Sequence, residues 1–277
     1  MQNLKTIQVK NEYRSDVDDL VRNFYIPCLS VSQVYERAVG YFTTHGLSIA
    51  AAGLSRFVQR GGKMFLVASP FFNEEDLFAI EKGYLLREEA IQNALVRQLT
   101  SIPDEVIKSR LECIAWLVAA GRLEIRIAIR VDEFGCFRRG IYHEKVGLFT
   151  DCDGNRVAFT GSPNETAGGL IENFESIDVF FSWDDPHNRV TTKLSNFQKL
   201  WMNETKTLEV LPFPEAAKHK LLQLKPTHPP DADFELSRHI SMTRSTFAPE
   251  LWPHQKKAID EWESRGRRGL VVMATGA

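Results

Sequence analysis

The chain has 277 residues, of which 43% are hydrophobic and 25% charged, so it can bury a sizeable core. Its net charge of −2 gives no global basic field of the kind that announces nucleic acid, although a local basic patch stays possible. No run approaches the ~18 apolar residues of a membrane helix, and residues 1–10 lack the apolar core of a signal peptide. The four cysteines show no CxxC spacing. We therefore expect a cytoplasmic protein with no membrane span, no disulfide and no metal site.

The first seventy residues predict a helix and then a strand–helix–strand unit. Ser15 can cap a helix over residues 16–24, which would end before Pro27. Residues 37–42 have the pattern of a strand, residues 46–59 that of an amphipathic helix, and residues 63–68 that of a buried strand. A strand–helix–strand unit implies a right-handed crossover and a parallel pair.

The middle of the chain continues the alternation of helices and strands. Two helices are predicted over residues 74–99 and 103–120, and residues 123–131 alternate as in a half-buried strand. Another strand is expected at 174–183 and an amphipathic helix at 190–204. Interleaved helices and strands with an inserted hairpin predict an α/β class with a mixed sheet.

A polar motif over residues 143–164 follows the strand at 123–131 and is the strongest functional signal in the sequence. His143 and Lys145 are two residues apart in a strand-like run, so both side chains should leave the same face. Residues 153–155 (Asp-Gly-Asn) are a turn signal, after which residues 156–160 form a returning strand. The hairpin is expected to gather four side chains at the edge of a sheet: His143, Lys145, Ser162 and Asn164. Such a group would form a phosphate site that contains a nucleophile.

Two sets of residues near the motif leave alternatives open. Four arginines precede it and either line a phosphate groove or belong to a solvated strand face: Arg126, Arg130, Arg138 and Arg139. Three tryptophans lie on apolar faces, where a place in the core is favoured over a role in stacking bases: Trp116, Trp183 and Trp201.

The composition changes after residue 206. Prolines concentrate there, so residues 206–246 are predicted to be an extended linker. Residues 247–277 have the pattern of a short helix followed by an apolar strand that ends in Ala-Thr-Gly-Ala. The Gly-Lys-Thr of a phosphate-binding loop does not follow, so we expect the chain to be the front piece of a longer protein.

The motif resembles the HKD motif of the phospholipase D superfamily, and within it the nucleases and restriction endonucleases. The resemblance rests on His143-x-Lys145, on Gly161-Ser162-x-Asn164 and on Glu175, and it covers residues 12–205. It implies a phospholipase D-like α/β/α sandwich with a mixed, mainly parallel sheet over residues 1–205. One departure is that Thr150 stands where the family has Asp, with Asp151 and Asp153 close by but shifted.

Residues 247–277 are similar to the start of a superfamily 2 (DEAD/DEAH-type) helicase, truncated before the Walker A Gly-Lys-Thr. Gln255 stands where such motors read the adenine of ATP, so ATP and Mg²⁺ are expected only with the missing motor. A nuclease fused to such a motor is a familiar arrangement in bacterial restriction and antiviral defence.

The resemblance also implies roles for the site residues, in chemistry that needs no metal or cofactor. His143 would attack phosphorus or protonate the leaving oxygen, and Glu175 would orient its ring. Lys145 and Asn164 would bind the phosphoryl oxygens, with Ser162 adding a donor. The chemistry needs two histidines and the chain has one such motif, which predicts a homodimer with the site at the two-fold interface.

Three functions follow from these features. The first is a nuclease that cleaves nucleic acid, DNA before RNA, through a phosphohistidine, as the effector of a helicase-coupled defence protein. The second is an inactive nucleic-acid-binding module that positions the helicase. The third is a lipid enzyme, which the single motif and the expected lack of a membrane segment disfavour.

Overall fold

The structure is a computed structural model that describes residues 2–42, 51, 54–82, 86–100, 105–140, 142–161, 176–228 and 261–262. The chain divides into two compact units, Met1–Leu236 and Ser237–Ala277. Glu261 and Trp262 are the described residues of the second unit, and both are helical and exposed. Gln255 lies outside the described residues, so the predicted helicase segment stays a prediction.

The first unit contains a sheet with the strand order β1-β7-β6-β5-β2-β3-β4-β8. The strands are β1 (Glu12–Arg14), β2 (Ser32–Phe42), β3 (Lys63–Pro70), β4 (Leu123–Arg130), β5 (Val146–Asp151), β6 (Arg156–Gly161), β7 (Ser176–Phe181) and β8 (Leu208–Pro212). The helices are α1 (Ile26–Val31), α2 (Leu54–Gln59), α3 (Glu74–Glu81), α4 (Arg87–Gln98), α5 (Glu105–Ala119), α6 (Arg189–Trp201) and α7 (Glu215–Leu222). A π-helical turn, Val21–Tyr25, leads directly into α1.

Helices cover both faces of the sheet. Successive side chains of a strand point to opposite faces, so each strand contributes to a buried cluster on either side. Along β2, Tyr35 and Val39 belong to one buried cluster and Ala38 belongs to another. The larger cluster includes apolar side chains of α1, α2, α4, α5 and α7, and the smaller one includes those of α6. The predicted α/β/α sandwich with a mixed sheet is therefore confirmed.

The expectation of a mainly parallel sheet is wrong. Among the described strands only β2–β3 and β3–β4 are parallel, and the other neighbours are antiparallel. A tight turn joins β5 to β6, with Gly154 at a φ of 78°, and such a turn can connect only antiparallel strands. The short strands β1 and β8 add an antiparallel neighbour at each end of the sheet.

The predicted linker starts too early, because residues 206–228 are folded into the first unit. β8 pairs with β4, and Ala217 and Leu221 of α7 are completely buried. Pro212 ends an edge strand, where no further N–H is needed, and Pro214 is the N-cap residue of α7. Both are positions that tolerate proline, so proline content misplaced the domain boundary.

The first helix also differs from its prediction. It starts at Leu20 rather than residue 16, and it continues through Pro27, which lies in the first turn of α1. Pro27 has no N–H to donate, and it directly follows the π-helical turn, where the hydrogen-bond pattern changes to that of an α-helix.

Candidate active site

The candidate site lies at the edge of the sheet where β2, β3 and β4 end. These strands are mutually parallel, so their carboxyl ends meet at one edge. β5 runs antiparallel to β2, and Val146 at its start pairs with Ala38 near the end of β2. The segment that carries His143 and Lys145 therefore enters β5 at this edge, which is where open α/β sheets bind their ligands.

The two motif side chains contact each other. Lys145 Nζ lies 3.1 Å from His143 Nε2. The strand begins one residue after Lys145, so both residues lie just before it rather than within it. An ammonium group can only donate hydrogen bonds, so the Nε2 atom accepts and a neutral His143 ring carries its proton on Nδ1.

Tyr142 and Glu144, which alternate with His143 and Lys145 along the chain, anchor the segment. Tyr142 is buried in the smaller cluster, and its hydroxyl donates to a Glu144 carboxylate oxygen at 2.9 Å. Burial raises the Tyr142 pKa, and the Glu144 carboxylate raises it further. The alternation of Tyr142 and Glu144 with His143 and Lys145 matches the predicted two-residue period, although the strand itself starts later.

Lys145 is buried whereas His143 is exposed. The lysine retains 6% of its accessible surface, and the Thr160 hydroxyl of β6 donates to its carbonyl oxygen at 3.2 Å. The histidine ring lies at the surface, beside the ring of Tyr41 at a centroid distance of 6.3 Å. A fixed cation next to an accessible imidazole nitrogen is suited to hold a phosphate group against a nucleophile.

A second cation is buried near Lys145, on the neighbouring strand β2. Arg37 of β2 is 1% exposed, and it pairs with Gly147, which in turn pairs with Phe159 of β6. The guanidinium carbon of Arg37 lies 4.9 Å from the centroid of the Phe159 ring. A Cβ on Gly147 would lie 2.2 Å from that ring, so only glycine leaves room for it.

The sequence prediction did not assign Arg37 to the site. Its Nε and Nη1 atoms are buried and have no hydrogen-bond partner within the described ranges. Lys145 precedes Gly147 by two residues, so the lysine and the arginine emerge on the same face of the sheet. No local pattern distinguished Arg37, because Gln33 and Glu36 of the same strand are polar as well.

Three predicted site residues lie outside the described residues: Ser162, Asn164 and Glu175. The strands that flank them are described. Gly161 pairs with Ile177, and Thr160 pairs with both Val146 and Asp178. The chain thus leaves β6 and re-enters β7 at the edge that carries the His143–Lys145 pair, and the roles of the three residues stay predictions.

Asp151, which is close to the position of the family's motif aspartate, has a structural role instead. Its carboxylate accepts hydrogen bonds from the backbone of Leu4, Asp153 and Asn155 and from the Asn155 side chain, each at 2.9 Å. Desolvation raises the Asp151 pKa, but these hydrogen bonds outweigh it and lower the pKa below its usual value. Asp151 therefore closes the β5–β6 turn and fixes the residues near the start of the chain, at the end of β5 away from the site.

Three of the four arginines of the open alternative lie close together, since the Arg138 N–H donates to the carbonyl oxygen of Arg130 at 3.0 Å and Arg139 is the next residue. Arg138 pairs with Asp132 at 2.9 Å, and Arg139 pairs with Glu81 of α3 at 2.5 Å. Arg126 bonds to the carbonyl oxygen of Trp201 and stacks on its ring. Gly140 lies against the Arg130 side chain. Arg138 and Arg139 are thus paired with carboxylates, as on a solvated face, and Arg126 is held by the backbone and ring of Trp201.

The predicted tryptophans divide between core and surface. Trp201 and Trp116 pack against the two buried clusters, as expected. Trp183 is 38% exposed, at the opposite edge of the sheet from His143, so its assignment to the core is wrong.

The described residues show neither a membrane span nor a cluster of metal ligands. None of their helices is long and apolar enough to cross a membrane. They also contain no group of three or more His, Cys, Asp or Glu side chains that could hold a metal ion.

Comparisons with known proteins give similar folds at low identity. No family model matches the sequence, and no curated protein matches it. Among solved structures, the chain is similar to NucT from Helicobacter pylori, with 16% identity and a TM-score of 0.40 over 73% of this chain and 97% of that one. It is also similar to Nuc from Salmonella typhimurium, a phospholipase D family member, with 16% identity and a TM-score of 0.36 over the same shares. A third is the phosphatidylserine synthase of Haemophilus influenzae, with 13% identity and a TM-score of 0.39 over 83% and 47%.

Proposed function

We propose that this chain is a phospholipase D-like phosphodiesterase that cleaves nucleic acid, DNA in the first place, without a metal. The observation that carries the proposal is the 3.1 Å contact between Lys145 Nζ and His143 Nε2 at an exposed sheet edge. It supplies a nucleophilic nitrogen and a cation for the phosphoryl oxygens within one hydrogen bond of each other. Asn164 and Ser162 are proposed to donate to the same phosphate, and Glu175 to orient His143.

The proposed reaction proceeds through a phosphohistidine. With substrate bound, Lys145 donates to a phosphoryl oxygen instead of to His143 Nε2. The freed Nε2 lone pair attacks phosphorus, a P–N bond forms, and the P–O bond to the leaving alkoxide breaks. The alkoxide takes a proton from the partner subunit's His143. That imidazole then accepts a proton from water, which attacks phosphorus and breaks the P–N bond. The reaction releases a phosphomonoester and restores both histidines.

The need for an acid and a nucleophile leads us to propose a homodimer with the two sites facing across a two-fold axis. His143 is the only motif histidine, and it is exposed at the sheet edge, where a second copy can approach it. The role as the effector end of a helicase-coupled restriction or antiviral defence protein is proposed from the sequence of residues 247–277. ATP and Mg²⁺ would serve only that motor.

The test is cleavage of plasmid and single-stranded DNA in excess EDTA by the wild type, His143→Ala and His187→Ala. His187 is an exposed histidine in a turn near the opposite edge, so it is a matched control. We expect the wild type and His187→Ala to cut, and His143→Ala to lose activity by at least about 10³-fold, as for loss of a nucleophile. Binding of DNA without cleavage by any of the three would support the inactive module instead.

A further inference from the structure

Two aromatic side chains, Tyr41 and Phe71, lie next to the site on the side of His143. The ring of Tyr41, at the end of β2, is close to those of both His143 and Phe71. It is 6.3 Å from the first and 5.2 Å from the second, and it meets both edge to face. Phe71 follows β3 directly, at the same sheet edge. Tyr41 therefore connects the ring of Phe71 to that of the proposed nucleophile.

Phe71 is held in place and yet presents its ring to solvent. Its side chain is 40% exposed. Its carbonyl oxygen accepts from Arg97 Nη2 at 3.5 Å, and the ring of Phe72 packs on that of Phe137 at 5.8 Å. An exposed aromatic ring with a fixed backbone loses little conformational freedom on binding a flat partner.

We propose that Phe71, supported by Tyr41, stacks against a nucleobase next to the scissile phosphate and so selects unpaired strands. This inference rests on the proposed function. A base inside a duplex already stacks on its neighbours and pairs with its complement, so only an unpaired or flipped base can reach the ring. Lys145 would hold the phosphate of the same strand while Phe71 holds a base.

The surface offers a close control for this proposal. Trp183 has nearly the same exposure, 38%, and its ring also stacks on another aromatic ring, that of Phe181. It lies just beyond β7, at the edge of the sheet opposite to His143. Truncation of Trp183 thus removes a comparable exposed ring at a distance from the site.

The experiment compares kcat/KM of the full chain on an oligothymidylate strand and on an abasic phosphodiester polymer of equal length, in EDTA. Phe71→Ala is expected to lower kcat/KM on oligothymidylate by about 5- to 100-fold, the range for loss of one stacked base. The abasic polymer should be cut equally by Phe71→Ala and by the wild type. Phe71→Trp should retain the preference for oligothymidylate, and Trp183→Ala should behave as the wild type on both polymers.

The outcomes distinguish a failure of the stacking role from a failure of the proposed nuclease function. If Phe71→Ala lowers cleavage of both polymers equally, or of neither, the stacking role is refuted while the nuclease stands. An equal loss in Trp183→Ala also refutes it. If the wild type cuts neither polymer, the proposed function fails and the inference fails with it.

Discussion

Replacement of Asp151 by Asn tests whether this carboxylate holds the fold or takes part in the chemistry. One of its oxygens accepts from the backbone N–H groups of Asp153 and Asn155. The other accepts from the Leu4 N–H and from the Asn155 side chain. Asparagine keeps the size of the side chain but turns one of these acceptors into a donor.

The cost of the change follows from the groups left facing the new amide. Two donors lose their acceptor in either orientation of the amide. They are the N–H groups of Asp153 and Asn155, or else the Asn155 side chain and the N–H of Leu4, a residue that is completely buried. An unsatisfied buried donor costs about 1–3 kcal/mol, and the Asn155 side chain can turn toward solvent, so we expect a loss of about 2 kcal/mol. This corresponds to a decrease of about 4–8 °C in Tm for a domain of this size.

The assay is urea unfolding of the wild type, Asp151→Asn and Asp153→Asn. Asp153 has an exposed carboxylate whose Oδ2 accepts from the Asn3 side chain at 2.8 Å, so its replacement should change stability by less than about 0.5 kcal/mol. Because the pKa of Asp151 is lowered on folding, its contribution is present above the unfolded value of about 3.9 and is lost as the pH falls through the folded value. The difference between wild type and Asp151→Asn should therefore shrink below about pH 4.

Cleavage of DNA by Asp151→Asn, measured well below its Tm, completes the test. We expect nearly wild-type activity per folded molecule, since Asp151 lies at the far end of β5 from His143. An unchanged unfolding midpoint would refute the structural role. A folded variant that no longer cuts DNA would instead place Asp151 in the chemistry.

Four other predictions can be tested on the same chain. Gly147→Ala should lower stability by about 1–3 kcal/mol in thermal unfolding, because its Cβ would lie 2.2 Å from the Phe159 ring; an unchanged Tm would contradict the packing. Glu36 has a pKa raised to about 7 by burial, so stability should decline as the pH rises from about 4.3 to 7; Glu36→Gln should flatten this decline in pH-dependent unfolding. Arg37→Met should leave stability unchanged or raise it by about 1 kcal/mol in thermal unfolding, because a buried guanidinium whose Nε and Nη1 atoms have no hydrogen-bond partner among the described residues is replaced by an apolar side chain; a large loss of stability would contradict this. An equimolar mixture of wild type and His143→Ala, exchanged through mild denaturant, should retain about a quarter of the activity of the same total amount of wild type if two copies share a site, and about half if each copy acts alone.

The sequence predicted those parts of the fold whose signals are local. The turn at residues 153–155, the returning strand and the alternation of Leu123 to Arg130 all depend on neighbouring residues, and the structure has them close to the expected bounds. The pairing of strands was harder to predict. β1 has three residues, too few for a visible period, and β8 ends at Pro212 with Pro214 close behind, so the antiparallel edges were missed.

The site was predicted in part for the same reason. The two-residue spacing brought His143 and Lys145 together correctly, because alternation fixes the face on which each side chain lies. Arg37 and Phe71 reach the same edge only through the register of β2 with β3 and β5, which depends on residues far apart in the chain. No local pattern could therefore have assigned either of them to the site.

The two outer strands bear on how copies of this protein can associate. β1 offers only three residues, two of them the exposed and charged Glu12 and Arg14, and β8 stops at Pro212. An edge strand that is short and charged, or that ends in proline, is a poor template for backbone pairing with another chain. Aggregation by strand addition is therefore opposed at both β1 and β8. The two-fold contact proposed above would therefore be made by side chains around His143 and not by the described outer strands, so substitutions there are expected to change both dimer formation and cleavage.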